Sequence, residues 1–171
     1  MLNSIFENVH LLKLAVMRPG VLLPRPHNPS QDMKTTDSIP IGASASKSVI
    51  VTRELTVAHF HPDMPEVYGT PLMIYLVEVA AAAAIQDYLP EGWVSVGVLV
   101  NVKHLAATPV GLTVTARAEV ISVEANTVTF SVEAHDGIEK IGEGRHVRAP
   151  IHLERFTQRV KVKSAGIDKN T

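Results

Sequence analysis

Residues 71–89 read PLMIYLVEVAAAAAIQDYL. Leucine, isoleucine, valine, methionine and alanine fill most of these positions. Pro71 is tolerated in the first turn of a helix, and Pro90 and Gly92 come where a helix would stop. The stretch predicts one long helix, apolar nearly all round and therefore buried. The alanine run Ala80–Ala84 would let it approach a sheet closely.

Beyond this helix the chain reads as strand after strand. In WVSVGVLVNVKH (93–104) the even positions are Val94, Val96, Val98, Val100 and Val102, then His104. Leu112, Val114, Ala116, Ala118 and Val120 alternate with Thr113, Thr115, Arg117 and Glu119; Val128, Phe130, Val132 and Ala134 alternate with Thr127, Thr129, Ser131 and Glu133. Asp136-Gly137 is a hairpin turn. The last strand is expected to place Ile141, Val147, Ala149, Ile151 and Leu153 on one side, with His146, Arg148, His152 and Glu154 on the other. Ser48–Leu55 (SVIVTREL) adds an earlier strand, and the turn-rich HFHPDMPEVYGTP comes after it. Period-two alternation means an antiparallel sheet with one buried face, and the single long helix is the element available to cover it. The fold class is therefore α+β, an antiparallel sheet wrapped around one long central helix.

Composition narrows the function classes. The chain has 171 residues, enough for one domain, with 46% hydrophobic and 19% charged residues. A net charge of -1 gives no electrostatic reason to expect a nucleic-acid partner. The absence of cysteine excludes disulfides, thiolate metal sites and a cysteine nucleophile, and fits a cytoplasmic location. Leu72–Ile85 reads as too short to span a bilayer, and Glu78 interrupts it, so no membrane is expected. The N-terminus lacks a basic n-region and makes a poor secretory signal.

Three regions are expected. Residues 1–32 form an extension or linker: Ile5, Val9, Leu12 and Val16 lie at helical spacing, and VLLPRPHNPSQDMK comes next. The alternative is that translation begins at Met33 and residues 1–32 are a start-site artefact. Residues 33–157 form the domain, compact from Lys47 onward, and residues 158–171 a basic flexible tail.

Glu78 is the only charged residue between Glu66 and Asp87. An unpaired buried carboxylate is costly, so it calls for a partner or a task; otherwise it lies on a narrow polar stripe beside Tyr75. His104 continues the even-numbered face toward the helix, so its imidazole and the Glu78 carboxylate face one interior. Taken alone, a histidine at a strand end is more often structural. Thr70 reads first as an N-cap, and second as a hydroxyl at the positive helix end facing a substrate carbonyl. Eight helical residues separate Thr70 from Glu78, or about 12 Å of rise, so both reach one centre only if the helix starts later. His59 and His61 form an H-x-H pair on a strand with no third ligand, and no metal is expected. There is no G-x-S-x-G elbow, Walker loop, G-x-G-x-x-G or H-E-x-x-H.

HLAATPVGLTVTARAEVISVE (104–124), AHDG (134–137) and RHVRAPIHLERF (145–156) together resemble the fluoroacetyl-CoA thioesterase family of hot-dog proteins. The similarity runs from about Met33 to Lys163 and is densest from Gly97 to Phe156. The resemblance implies a hot-dog fold, a homodimer, and hydrolysis of a small acyl-CoA without a cofactor other than the CoA of the substrate. It carries the family's catalytic threonine, glutamate and histidine onto Thr70, Glu78 and His104. Gly69, Gly97 and Arg148 are the expected substrate contacts, the last two matching family positions near the acyl and carboxylate-contacting parts of the pocket. Arg155, Arg159, Lys161 and Lys163 read as solvated, with CoA phosphates as their other use. Two departures put fluoroacetyl selectivity in doubt: the short stretch His59–Pro65 where the family pattern has a phenylalanine-bearing lid, and Val79 in place of a large aromatic. A hot-dog hydratase or dehydratase, a non-catalytic acyl-CoA-binding module and a purely structural dimer are the competing readings.

Overall fold

The computed structural model describes residues 35–166. Residues 1–32, with the helix and linker read there, and Met33 lie outside them. Chain order is β1 (Ser44–Ile50), α1 (Val57–Phe60), α2 (Thr70–Ile85), β2 (Trp93–His104), β3 (Thr113–Val123), β4 (Val128–His135), β5 (Lys140–His152) and α3 (Leu153–Ala165). The five strands form one antiparallel sheet in the order β1-β3-β4-β5-β2. It curls around α2, which packs against every strand. This is the sheet around one central helix expected from the alternation, and the hot-dog fold that the resemblance implies.

Helix α2 is buried along one side only, through Met73, Leu76, Val77, Ala80, Ala81, Ala84 and Ile85. Small residues at Ala80, Ala81 and Ala84 bring its axis close to the buried face of β3 and β4, where Val114, Ala116, Ala118, Val120, Val128, Phe130, Val132 and Ala134 alternate as expected. The other side of α2, with Ile74, Tyr75, Glu78 and Val79, is partly or fully open. The expectation of burial all round is corrected accordingly. With its short 3-10 extension the helix runs Thr70–Tyr88, long and apolar enough to cross a membrane by length and composition. The expectation that it is too short does not hold, but its buried side is occupied by the sheet.

The strands flanking the central pair depart from simple alternation. The β2–β5 register slips between Gly97 and Leu99, leaving Val98 as a bulge. One extra residue switches every later side chain to the opposite face. Val94 and Val96 pair with Ile151 and Ala149 on the outer face, whereas Trp93, Ser95 and Gly97 point inward opposite His152, Pro150 and Arg148. Beyond the bulge Val100, Val102 and His104 face inward, so the valine stripe expected on one side is split between two. In β5 the slip falls at Ile141, between the Ala134–Gly142 and His135–Lys140 pairs. His146 and Arg148 lie opposite Phe130 and Val128 and are buried, the reverse of the expected orientation.

Three smaller expectations are also corrected. The compact region begins before Lys47: Thr36, Ile39 and Ala43 are buried, and Thr36 Oγ1 donates to Glu124 O at 2.9 Å. His59 and His61 lie in and just after the short helix α1, so they do not share a strand face. The basic stretch after 157 is helical through Ala165, and Leu153, assigned to the last strand, starts that helix. Leucine, glutamate, arginine, glutamine and lysine there are all good helix formers.

The β4–β5 hairpin turn is built on Asp136. Its Oδ1 accepts the amides of Ile138 and Glu139 at 2.9 Å each, its Oδ2 accepts Thr108 Oγ1 at 3.2 Å, and Gly137 takes φ 89°. These bonds, led by the Glu139 amide, hold the carboxyl below its usual pKa against burial. Asp136→Ala should cost about 1–3 kcal/mol, read as a lower urea midpoint at neutral pH. Because the folded pKa is depressed, the Asp136 contribution is present above the unfolded value and lost as pH falls through the folded one. The gap between wild type and variant should therefore close in acid.

Candidate active site

Two clusters of polar side chains lie along the inward surface, at different levels of α2. The first sits at its N-terminus. Gly69 is the N-cap and makes no side-chain capping bond; Thr70 is the first helical residue. The Thr70 hydroxyl is thus released from capping, and Oγ1 lies 2.7 Å from Nδ1 of His104. His104 sits at the end of β2 opposite Gly142. A side chain at Gly142 would collide with Met73, its Cβ falling 2.6 Å from the Met73 sulfur. The bare glycine therefore lets the first turns of α2 settle over the His104–Gly142 pair.

Backbone donors near Thr70 are few. Gly69 N–H donates to Leu55 O at 3.0 Å, and Leu72 N–H to Gly69 O at 2.9 Å. Pro71 has none. Thr70 N–H makes no backbone hydrogen bond among the described residues, so it is the donor left at the positive helix end to meet a developing oxyanion. Gly69, expected to contact substrate, has an ordinary φ of -74° and an amide already in use. Burial pulls the His104 pKa below its usual value, with the Ala106 backbone opposing. The ring is therefore neutral at neutral pH, with Nδ1 able to accept the Thr70 proton. Its Nε2 is buried with no hydrogen-bond partner among the described residues.

The second cluster surrounds Arg148, which is 6% exposed. Its Nε donates to Ser95 Oγ at 2.8 Å and its Nη2 to Ser95 O at 2.7 Å. Its Nη1 donates to the backbone O of Glu78 and to His146 Nε2, both at 3.2 Å, and lies 3.6 Å from Glu78 Oε2. His146 Nδ1 is 2.8 Å from Leu99 O, a group that only accepts. That nitrogen must carry the proton, leaving Nε2 bare for the guanidinium. Burial lowers the His146 pKa; the Leu99 bond opposes and neighbouring Arg148 adds to the lowering, so the ring stays neutral.

Glu78 keeps a side chain 35% exposed, with Oε2 toward Arg148 and Oε1 against Gly97. A Cβ at Gly97 would fall 2.5 Å from Oε1 and 3.1 Å from His146 Cε1. Gly97 is thus the gap that admits the carboxylate. From the sequence, Glu78 and His104 are expected to face one interior, with Thr70 joining them only if the helix starts later; it starts at Thr70. The fold brings Thr70 to His104 and sets Glu78 two turns away with Gly97 and Arg148. His146 and Ser95 escaped sequence reading because alternation assigned both to the outer face. Among the described residues no three histidine, aspartate or glutamate side chains gather as metal ligands.

The family model for fluoroacetyl-CoA-specific thioesterases matches residues 51–154. A fluoroacetyl-CoA thioesterase from Streptantibioticus cattleyicolor is 41% identical over 134 residues, spanning 75% of this chain and 96% of that protein. The crystal structure of a single-site mutant of the fluoroacetyl-CoA-specific thioesterase, in complex with fluoroacetate and CoA, is 42% identical over 68% of this chain and 98% of its own, with a TM-score of 0.63. A hot-dog-like protein from Thermanaerovibrio acidaminovorans is 27% identical, spanning 77% and 97% of the two chains with a TM-score of 0.69.

The bonding around Arg148 describes a clamp, with most of its donors committed to protein acceptors. Arg148→Lys keeps the charge but loses the planar fork. It should destabilise the domain by about 2–3 kcal/mol, measured as a fall in the urea midpoint. An unchanged midpoint would mean that the guanidinium is free for a ligand instead.

Proposed function

This chain belongs to the fluoroacetyl-CoA-specific thioesterase family, and from that premise we propose that it hydrolyses a small acyl-CoA to the free acid and CoA, using Thr70 and His104 of one protomer with Glu78 of its partner. The observation that carries this reading is the 2.7 Å approach of Thr70 Oγ1 to a neutral His104.

His104 Nδ1 takes the hydroxyl proton as Thr70 Oγ1 attacks the thioester carbonyl. The oxyanion forms beside the free Thr70 amide. The C–S bond then breaks, and the CoA thiolate leaves with the proton from His104. Water next attacks the threonyl ester, giving its proton to His104; the acyl–oxygen bond breaks and the proton returns to Oγ1. Carboxylic acid departs.

In this cycle the proton on Nε2 needs an acceptor to hold the ring, and Nε2 has no hydrogen-bond partner among the described residues. The homodimer expected from the family offers one. Strand β2 is an edge strand, and Val98, Leu99 and Val100 along it are 56%, 52% and 38% exposed. An exposed apolar edge is a pairing surface. Two copies joined there by a two-fold axis run antiparallel, so the Gly97 end of one strand approaches the His104 end of the other. Glu78, lying against Gly97 with no hydrogen bond to Oε1 among the described residues, is carried toward the partner's His104 and the attacking water. A hydratase or a non-catalytic binding module has less use for a hydroxyl bonded to an uncharged imidazole.

A mixed-dimer experiment tests the shared site. Thr70→Ala and Glu78→Gln homodimers should each lose at least about tenfold in kcat, within the usual range for acid–base groups. Co-expressed at equal levels, they should recover about a quarter of wild-type turnover, because half of the dimers are mixed and each has one intact site. A mixture as inactive as its parents would place all three groups in one protomer.

The acid limb of kcat/KM should report His104. Because burial lowers its pKa from 6.5, activity should hold as pH falls to that value and drop only below it. A midpoint at or above 6.5 would remove His104 as the base.

A further inference from the structure

Thr108 is fully buried, yet no step of the hydrolytic cycle uses it. Its hydroxyl donates to Asp136 Oδ2 at 3.2 Å, and its backbone oxygen accepts the Tyr68 amide at 2.8 Å. We propose that Thr108, anchored by Asp136, is a positioning residue that holds Thr70 within reach of His104, a role that rests on the hydrolysis proposed above.

Residues 104–109 read HLAATP, and this one stretch meets both members of the Thr70–His104 pair. At its start, His104 lies opposite Gly142 and the Leu105 amide donates to Ile141 O at 2.7 Å. The imidazole is thereby referenced to β5. At its end, Thr108 O holds Tyr68, two residues before Thr70, and Pro109 bridges Val67. The segment that leads to Thr70 is otherwise bonded to itself: Val57 N–H donates to Val67 O at 2.9 Å, and Gly69 N–H to Leu55 O at 3.0 Å. One turn further on, Met73 rests on Gly142, but a flexible thioether fixes height less sharply than a hydrogen bond. The Thr108 carbonyl is therefore what registers Thr70 against the strand that carries His104.

Thr108 is itself held from two sides. Pro109 after it favours extended backbone, and the buried Asp136 carboxylate takes its hydroxyl proton. A hairpin turn needs only Oδ1, which already accepts the Ile138 and Glu139 amides. Oδ2 does something the turn does not require. Through it both catalytic groups hang from one β4–β5 hairpin, His104 by Ile141 and Gly142 and Thr70 by Asp136 and Thr108. Precision matters here, because a misplacement of about 1 Å costs on the order of 10²-fold in rate.

Thr108→Val removes the donor and keeps a side chain of similar shape. On the small acyl-CoA that wild type hydrolyses fastest, kcat should fall about tenfold with KM within twofold. Thr108→Ser, which keeps the hydroxyl, should stay within twofold of wild type in both. In a Thr70→Ala background Thr108→Val should leave the residual kcat within twofold, because the group it positions is already gone. A loss of equal size in both backgrounds would make Thr108 a support of the fold at large. No loss in the wild-type background would show Thr70 held without it, and either result overturns the proposal. Should Thr108→Val not fold, Thr108→Cys, a weaker donor, takes its place in both backgrounds, with an expected loss of at least threefold. Nitrogen-15 NMR of the His104 ring keeps the test independent of turnover. In Thr108→Val, or in Thr108→Cys where that stands in, the Nδ1 signal should move at least halfway to its position in Thr70→Ala, with the His146 signals unmoved. A His104 signal that stays at the wild-type position overturns the proposal. Failure of the thioesterase reading shows differently, as wild type that releases CoA from no acyl-CoA while the ring signal still shifts.

Discussion

A guanidinium almost out of solvent cannot shed its charge, so its donors must find acceptors inside the fold. Arg148 meets that demand with groups taken from three elements: both oxygens of Ser95 on β2, the ring of His146 on β5, and the backbone oxygen of Glu78 on α2. The helix carbonyl uses its second lone pair, so α2 loses no bond of its own. The result is a fixed height and rotation for the helix against the β2–β5 edge of the sheet. Glu78 then has one place to put its carboxylate, the space left by the missing side chain at Gly97.

That arrangement depends on Val98. Without the extra residue, a strand that turned His104 inward would also turn Val96 inward, and Ser95 would face outward. The bulge lets one strand present serine and glycine to the arginine at one end and histidine to the threonine at the other. Both ends of the site therefore rest on a local irregularity in a strand whose sequence looks regular.

The same irregularity decides which parts of the molecule are legible in the sequence. β3 and β4 have side chains whose polarity agrees with their facing at nearly every position, so alternation suffices. β2 carries valine at every even position and gives no sign of where parity switches. β5 hides its inward residues because His146 and Arg148 look like solvent-facing polar groups; only their partners make them interior ones. Thr70 and His104 could be placed on the correct elements, since a helix start and a strand end are marked by Pro71 and by the preceding valines. Their meeting required the contact of Met73 with Gly142, which no spacing records. Helix α3 reads as a tail for a related reason. Leu153, Phe156 and Val160 remain exposed, so no buried stripe organises the segment, and local helix propensity alone forms it.

The separation of Thr70 from Glu78 has a consequence for how this protein would respond to dilution. About 12 Å of helix rise is fixed by backbone bonds and cannot be closed by a rotamer change. If the carboxylate that serves His104 comes from a second copy, folding and catalysis become separate thresholds. The protomer satisfies Arg148 and fills its core by itself, whereas Nε2 of His104 has no hydrogen-bond partner among the described residues and the apolar edge of β2 is open. In the proposed dimer, association would stabilise the same surface that completes the site, and mass action would link the two. In that dimer loss of activity on dilution would precede loss of the fold, because the bonds that hold Glu78 in place would belong to one chain and the His104 it serves to the other.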